Sequence, residues 1–138
     1  MIQKYNFKKD YKSIQTMDNV IFGNKISIDE LSKLDGYVYR NSSLNDELLG
    51  YILFEKADSL ESIHIRSLAV QSDFRNKNLG SLLLLKVENR FPENVITLCI
   101  DGQWGKPDKL RKFYKNRGFE FTNSYSHNGN EIWKYNNL

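Results

Sequence analysis

Little in this 138-residue chain can make a covalent or metal cross-link. It has one cysteine, Cys99, so no intramolecular disulfide can form. Its two histidines, His64 and His127, are too few and too scattered to build a zinc site with that thiol, and no metal is expected. A lone cysteine in an apolar run, with no leader-like segment, fits a reducing cytoplasm. No apolar stretch approaches the ~20 residues that a helical span requires, so no membrane partner is expected. There are only two prolines, no low-complexity tract and no internal repeat, hence no linker; a single domain over residues 1–138 is expected. Charge of one sign is also scarce. Twenty Lys and Arg stand against seventeen Asp and Glu, a net +3. That excess is too small to imply a nucleic-acid partner, though it suits a small anionic ligand.

What is present is a hydrophobic fraction of 40% and an aromatic fraction of 13%, enough for a folded core. "IQKYNF" (2–7) reads as a strand. From Lys9 to Phe22, Ile14, Met17 and Ile21 recur at helical spacing, and Gly23 ends the pattern. "SIDELSKL" (27–34) carries a capping box, Ser27 with Glu30 three residues on. "GYVYR" (36–40) and "LLGYILFEKA" (48–57) read as a hairpin of strands. "SIHIRSLAV" (62–70) is a long strand whose alternation changes at Ser67–Leu68, allowing a bulge. A helix follows over 78–90. Leu79, Leu82, Leu83 and Val87 form its apolar face, with Lys86, Glu88 and Asn89 on the solvated side. "NVITLCI" (94–100) is a buried strand. A helix over 108–117 sets Leu110, Phe113 and Tyr114 on one face and ends at Gly118 as C′ residue. Two strands, 119–126 and 131–136, close the chain around an "HNG" turn. This order predicts an α/β or α+β fold with a mixed sheet, and a parallel crossover from 62–70 to 94–100.

The stretch "FRNKNLGSLLLL" (74–85) is the chemically informative junction. A strand feeding a loop that opens a helix presents unpaired backbone N–H groups and the positive end of the helix dipole. Arg75 and Lys77 add charge there, and Ser81 adds a donor. Only one glycine, Gly80, is present. Asn78 stands where a second would serve, and Asn is the non-glycine residue best suited to left-handed backbone. A dinucleotide G-x-G-x-x-G is lacking, as is the Lys of a Walker loop. The alternative is a solvated loop before a buried helix.

Taken with "KFYKNRGF" about thirty residues further on, "LAVQSDFRNKNLGSLLL" resembles the GNAT superfamily of acyl-CoA-dependent N-acetyltransferases. The family's pyrophosphate signature, Q/R-x-x-G-x-G/A, reads here Arg75-Asn76-Lys77-Asn78-Leu79-Gly80, with Asn78 departing from the first glycine. Phe113, Tyr114, Lys115, Gly118 and Phe119 match the later "fYek-GF" pattern. The resemblance implies a mixed, mostly antiparallel sheet of about seven strands flanked by about four helices, with a splay between the strands at 62–70 and 94–100. It also implies acetyl-CoA as cosubstrate and an amine acceptor, small molecule or peptide, in a monomer or homodimer. Backbone groups of Leu68, Ala69 and Val70 would pair with the pantetheine arm. N–H groups from Arg75 through Asn76, Lys77, Asn78, Leu79 and Gly80 to Ser81 would hold the pyrophosphate. Tyr114 would serve as general acid to the departing thiolate.

A tyrosine near pKa ~10 and a thiol near ~8.5 differ by roughly 2 kcal/mol, so a hydrogen bond to the developing thiolate is useful even where full transfer is uphill. The acceptor side is less furnished. An alkylamine of pKa ~10.4 is about 0.04% neutral at pH 7, a penalty of roughly 4.6 kcal/mol. Many members of the family place a carboxylate on the strand before "LAV"; here Arg66 and Ser67 stand there. The nearest groups able to act as base are His64 and Glu61. Arg66 and Phe22 are candidates for contact with the acceptor, and Trp104 for shielding the cofactor. A non-catalytic acyl-CoA-sensing module on the same fold is the competing reading.

Overall fold

A computed structural model describes residues 1–24, 26–43, 45–57, 61–103 and 105–136, with Asn76 and Asn136 described in their backbone alone. Trp104 lies outside the described residues. The element order follows the sequence reading: β1 (Ile2–Lys4), α1 (Phe7–Phe22), α2 (Ile28–Lys33), β2 (Asp35–Asn41), β3 (Glu47–Lys56), β4 (Ser62–Val70), α3 (Leu79–Arg90), β5 (Val95–Ile100), α4 (Pro107–Asn116), β6 (Glu120–Tyr125) and β7 (Glu131–Asn136). The one element not anticipated is a 3₁₀ turn over Ser72–Lys77. Strand order in the sheet is β1-β2-β3-β4-β5-β7-β6. The chain divides into two compact units, residues 1–55 with 67–90, and residues 56–66 with 91–138.

In the first unit β1, β2 and β3 are antiparallel. The first strand is shorter than expected because Asn6 begins a helix. Its side chain accepts from Lys9 N–H at 3.1 Å, and its own N–H donates to Asp10 Oδ2 at 2.8 Å. Ser27 caps α2 as expected, accepting from Glu30 N–H at 3.1 Å. The core of this unit joins Ile14 and Met17 of α1, Leu31 of α2, Val38 of β2, Tyr51 of β3 and Ala69 of β4. A buried ion pair lies beside it. Arg40 Nη2 meets Asp10 Oδ1 at 2.5 Å, and Nη1 donates to the Asp46 carbonyl at 2.7 Å. One side chain thereby ties the end of β2 to α1 and to the β2–β3 turn.

In α3 the buried residues are Leu79, Leu83, Leu84, Val87 and Glu88. Leu82 is 43% exposed and Glu88 only 7%, a reversal of the faces expected for both. Four consecutive leucines sweep about 300° around a helix, so they cannot all face inward.

In the second unit β4 and β5 pair in parallel through Ser62–Val95, Ile63–Ile96 and His64–Thr97, a ladder of three pairs along a nine-residue strand. β7 pairs antiparallel with β5 and β6. The hairpin turn closes with Ser126 N–H donating to the Asn130 carbonyl at 2.8 Å, and Gly129 takes φ 83°. The inward face of α4 is rotated from expectation. Leu110 is 41% exposed, while Arg111 turns toward β7 and pairs with Glu131 through both its Nε and Nη2. Among described residues no helix is long and apolar enough to cross a membrane.

Arg40→Ala leaves Asp10 buried without its cation, which costs about 3–5 kcal/mol. Urea unfolding should show a lower midpoint with an unchanged slope, and a loss below 1 kcal/mol would show that the pair has no structural weight.

Candidate active site

The first unit contributes the junction after β4. Leu68 is half-buried and Ala69 and Val70 are buried, so the alternation of β4 breaks at Ser67–Leu68 as the sequence allows. Gln71 anchors the exit from the strand. Its N–H donates to the Leu49 carbonyl at 2.8 Å and its Nε2 to the Leu48 carbonyl at 2.6 Å. Arg75, expected to bring its charge and backbone N–H to the loop, folds its side chain back and donates from Nε to the Val70 carbonyl at 3.0 Å. Lys77 lies 5.3 Å from the Phe74 ring centroid.

Asn78 ends the 3₁₀ turn at φ 60°, ψ 21°, the left-handed region. Its carbonyl accepts from Leu82 N–H at 3.0 Å, so α3 starts immediately after it. The N–H groups of Leu79, Gly80 and Ser81 therefore emerge together at a helix start, with Arg75 and Lys77 in the turn before them. Unpaired N–H groups at a helix start are groups that can receive an anion.

The second unit contains Tyr114, the only buried residue of α4. It is held from behind by a Schellman motif. Gly118 takes φ 94°, its N–H donates to the Lys115 carbonyl at 3.1 Å, and Phe119 N–H donates to the Tyr114 carbonyl at 3.0 Å. The Phe119 ring meets Tyr114 edge-on at 5.6 Å and Tyr135 at 5.4 Å. Burial pushes the Tyr114 phenol well above its ordinary pKa, so it is a hydrogen-bond donor at every physiological pH.

His64 is half-buried, with Nδ1 2.9 Å from Thr97 Oγ1 across the β4–β5 pair. Glu61 is exposed just before β4, and its carbonyl accepts from Val95 N–H at 3.0 Å. Both lie toward the N-terminal end of β4, while Leu68–Val70 form its C-terminal end. Arg66 is exposed and its charge opposes, without overcoming, the upward push of burial on the Cys99 thiol. Phe22 is partly buried and packs on the core of the first unit. A polar cleft of about 490 Å³ opens in the second unit between Asp101, Gln103, Arg111, Asn128 and Glu131. The Arg111 guanidinium holds the Glu131 carboxyl below its usual range.

The sequence reading passed over Asp18. It is 3% exposed, on the core face of α1, and Oδ2 accepts from Ile26 N–H at 3.0 Å. The available signal was spacing: Asp10, Ile14, Asp18 and Phe22 recur every four residues, which sets two carboxylates on the face that must be buried.

Comparison with known proteins accords with this geometry. No curated protein sequence matches the chain. Among solved structures, an aminoglycoside 6'-N-acetyltransferase complexed with coenzyme A superposes with TM-score 0.80 at 13% identity, covering 100% of this chain and 97% of that one. Ard1 from Thermoplasma volcanium gives 0.76 at 20% identity, with coverage of 100% and 97%. Arabidopsis thaliana Naa50, in complex with the bisubstrate analogue CoA-Ac-MVNAL, gives 0.73 at 19%, with coverage of 96% and 97%. At these identities the likeness is one of fold. The family model described as "Acetyltransferase (GNAT) domain" matches residues 10–135, and by that match over most of its length the chain belongs to the GNAT acetyltransferase family.

Proposed function

We propose that the protein is an acetyl-CoA-dependent N-acetyltransferase that acylates a primary amine by direct attack in a ternary complex. The observation that carries this reading is the left-handed backbone at Asn78, which keeps the anion cradle open where the family signature has a glycine. The pyrophosphate binds the N–H groups at the start of α3. The pantetheine arm pairs with Leu68 and Val70 as an added strand. The Tyr114 hydroxyl donates to the sulfur as the C–S bond breaks. Its raised pKa makes complete proton transfer less favourable than in solution and a strong hydrogen bond the more useful contribution. A backbone N–H near Val70 polarises the thioester carbonyl. The neighbours that hold coenzyme A or a CoA bisubstrate analogue support the choice of cosubstrate. The polar cleft of the second unit suits a hydrophilic acceptor, and the single cysteine suits a cytoplasmic setting.

Acetyl-CoA at a hundred times its Kd should stabilise the protein by about 2.7 kcal/mol, visible as a rise of several degrees in Tm. No shift at millimolar acetyl-CoA would remove the reading altogether. A thiol-release assay over a panel of primary amines then separates a transferase from a binding module, which would give the shift without turnover.

Tyr114→Phe should lower kcat about 10- to 100-fold while leaving acetyl-CoA affinity within about twofold. Because burial raises the phenol pKa, the donor persists as pH climbs and is lost only above the ordinary value near ~10. The wild-type to Phe ratio of kcat should therefore stay constant from pH 7 to about 9.5. A ratio falling toward one in that window would assign Tyr114 a normal pKa and another role.

Asn78→Gly should leave the fold and acetyl-CoA affinity intact, since glycine adopts φ 60° freely. Weaker binding, measured by calorimetry, would show that the asparagine side chain itself touches the pyrophosphate.

A further inference from the structure

α4 is seated by little apolar surface. Of its ten residues only Tyr114 is buried, and Leu110 is turned outward. The Tyr114 hydroxyl makes no hydrogen bond among the described residues. Its ring rests edge-on against Phe113 at 5.1 Å and Phe119 at 5.6 Å. The phenol is therefore placed by packing and by how firmly the helix lies on the sheet. The helix is tied to one face of β7 at two places. Glu131, Trp133 and Tyr135 alternate along that strand and share the face. At one place Phe119 carries the ring contact from Tyr114 on to Tyr135 at 5.4 Å. At the other stands Arg111, three residues before Tyr114 and on the same side of the helix. It donates from Nε to Glu131 Oε1 at 3.0 Å and pairs with Oε2 through Nη2. Trp133 braces the carboxylate, donating from Nε1 to Oε1 at 3.0 Å. Gly102 leaves room for the pair: a Cβ there would stand 3.1 Å from Arg111 Nη2 and 3.2 Å from Glu131 Oε2. Gly102 is not in the left-handed region, so the turn itself does not call for glycine. Asp108 accepts from Nη1 at 2.6 Å but is exposed and adds little.

We infer that Arg111 and Glu131 are positioning residues for Tyr114: their two-bond pair, braced by Trp133 and given room by Gly102, fixes α4 on β7 and with it the direction of the phenol hydroxyl. This rests on the transferase reading, which gives that hydroxyl the departing sulfur. Two bonds between a planar guanidinium and a carboxylate fix direction as well as distance, which a single contact does not. A hydrogen bond weakens steeply as its angle and length depart from ideal. A misplacement of about 1 Å at a reacting group costs roughly 100-fold in rate. With one buried residue, α4 has little apolar packing of its own to prevent such a shift. The pair also walls the polar cleft, where an apolar side chain would face water and hold the helix less well. Arg111 acts on Tyr114 through the helix and not through its charge, since burial alone raises the phenol pKa. Its charge is engaged by Glu131, whose carboxyl it holds below the usual range, so the pair stays ionised at neutral pH.

The test uses the full chain and an amine that the wild type acetylates. Arg111→Met, which keeps the length of the side chain and removes the fork, should lower kcat about 10-fold with acetyl-CoA affinity within about twofold. Adding Tyr114→Phe to Arg111→Met should lower kcat no further than the worse single variant, because the pair acts only through the phenol. Gly102→Ala keeps every charge and crowds the pair, so it should lower kcat severalfold with the same lack of additivity. NMR of carbon-labelled tyrosine gives a readout that needs no turnover. The resonance missing from Tyr114→Phe should titrate at lower pH in Arg111→Met than in the wild type, as the loosened helix admits water to the phenol. An unchanged kcat in Arg111→Met, losses that multiply in the double variant, or an unmoved Tyr114 titration overturns the positioning role. Should Arg111→Met fail to fold, Gly102→Ala decides the matter by the same measurements. A wild type that binds acetyl-CoA yet acetylates no amine overturns the transferase reading, and the Tyr114 titration then still decides whether the pair places the phenol.

Discussion

The left-handed backbone at Asn78 is the constraint on which the candidate site depends. At φ 60° and ψ 21° the chain reverses between a 3₁₀ turn and α3 within one residue. Without that reversal the 3₁₀ turn would run on into the helix, and the N–H groups of Leu79 to Ser81 would lie inside a ladder of hydrogen bonds instead of at its free end. The junction is held on both sides. Upstream, Gln71 is bonded to the Leu48 and Leu49 carbonyls of β3. Downstream, Leu79, Leu83 and Val87 are buried. Rigid anchors on either side of a tight turn are what the proposed binding of an anion by backbone requires.

The same economy appears at Tyr114. Its position comes from the helix end that follows it, where Gly118 at φ 94° permits the two crossed hydrogen bonds and Phe119 closes the hydrophobic contact. The residue proposed to bear on the chemistry and the motif that stops the helix are one local structure.

The first unit spends its polar groups differently. Asp10 and Arg40 are both buried and compensate each other, whereas Asp18 is buried with one N–H donor. Desolvation of the Asp18 carboxylate raises its pKa, the Glu30 charge adds to the rise, and both weigh against stability. The two carboxylates stand eight residues apart on one helix, and among the described residues only Asp10 has an ion-pair partner.

The sequence by itself determined what depends on near neighbours. Element order, the Ser27 cap, the Gly118 helix end and the aptitude of Asn78 for left-handed backbone all follow from interactions within a few residues, so they are legible from local residue types. The free helix start after Asn78 and the place of Tyr114 one turn before the Gly118 helix end were legible for the same reason. Tertiary structure alone decided which sides of the helices face inward. Leu82 is exposed and Glu88 buried, Arg111 displaces Leu110 from the inner face of α4 by pairing with Glu131, and Arg75 folds back onto Val70. It also decided that Asp18 is buried and that Ser67 of β4 is hydrogen-bonded to Tyr51 of β3. Burial and charge compensation are set by residues distant in sequence, and no periodicity within a single element records them.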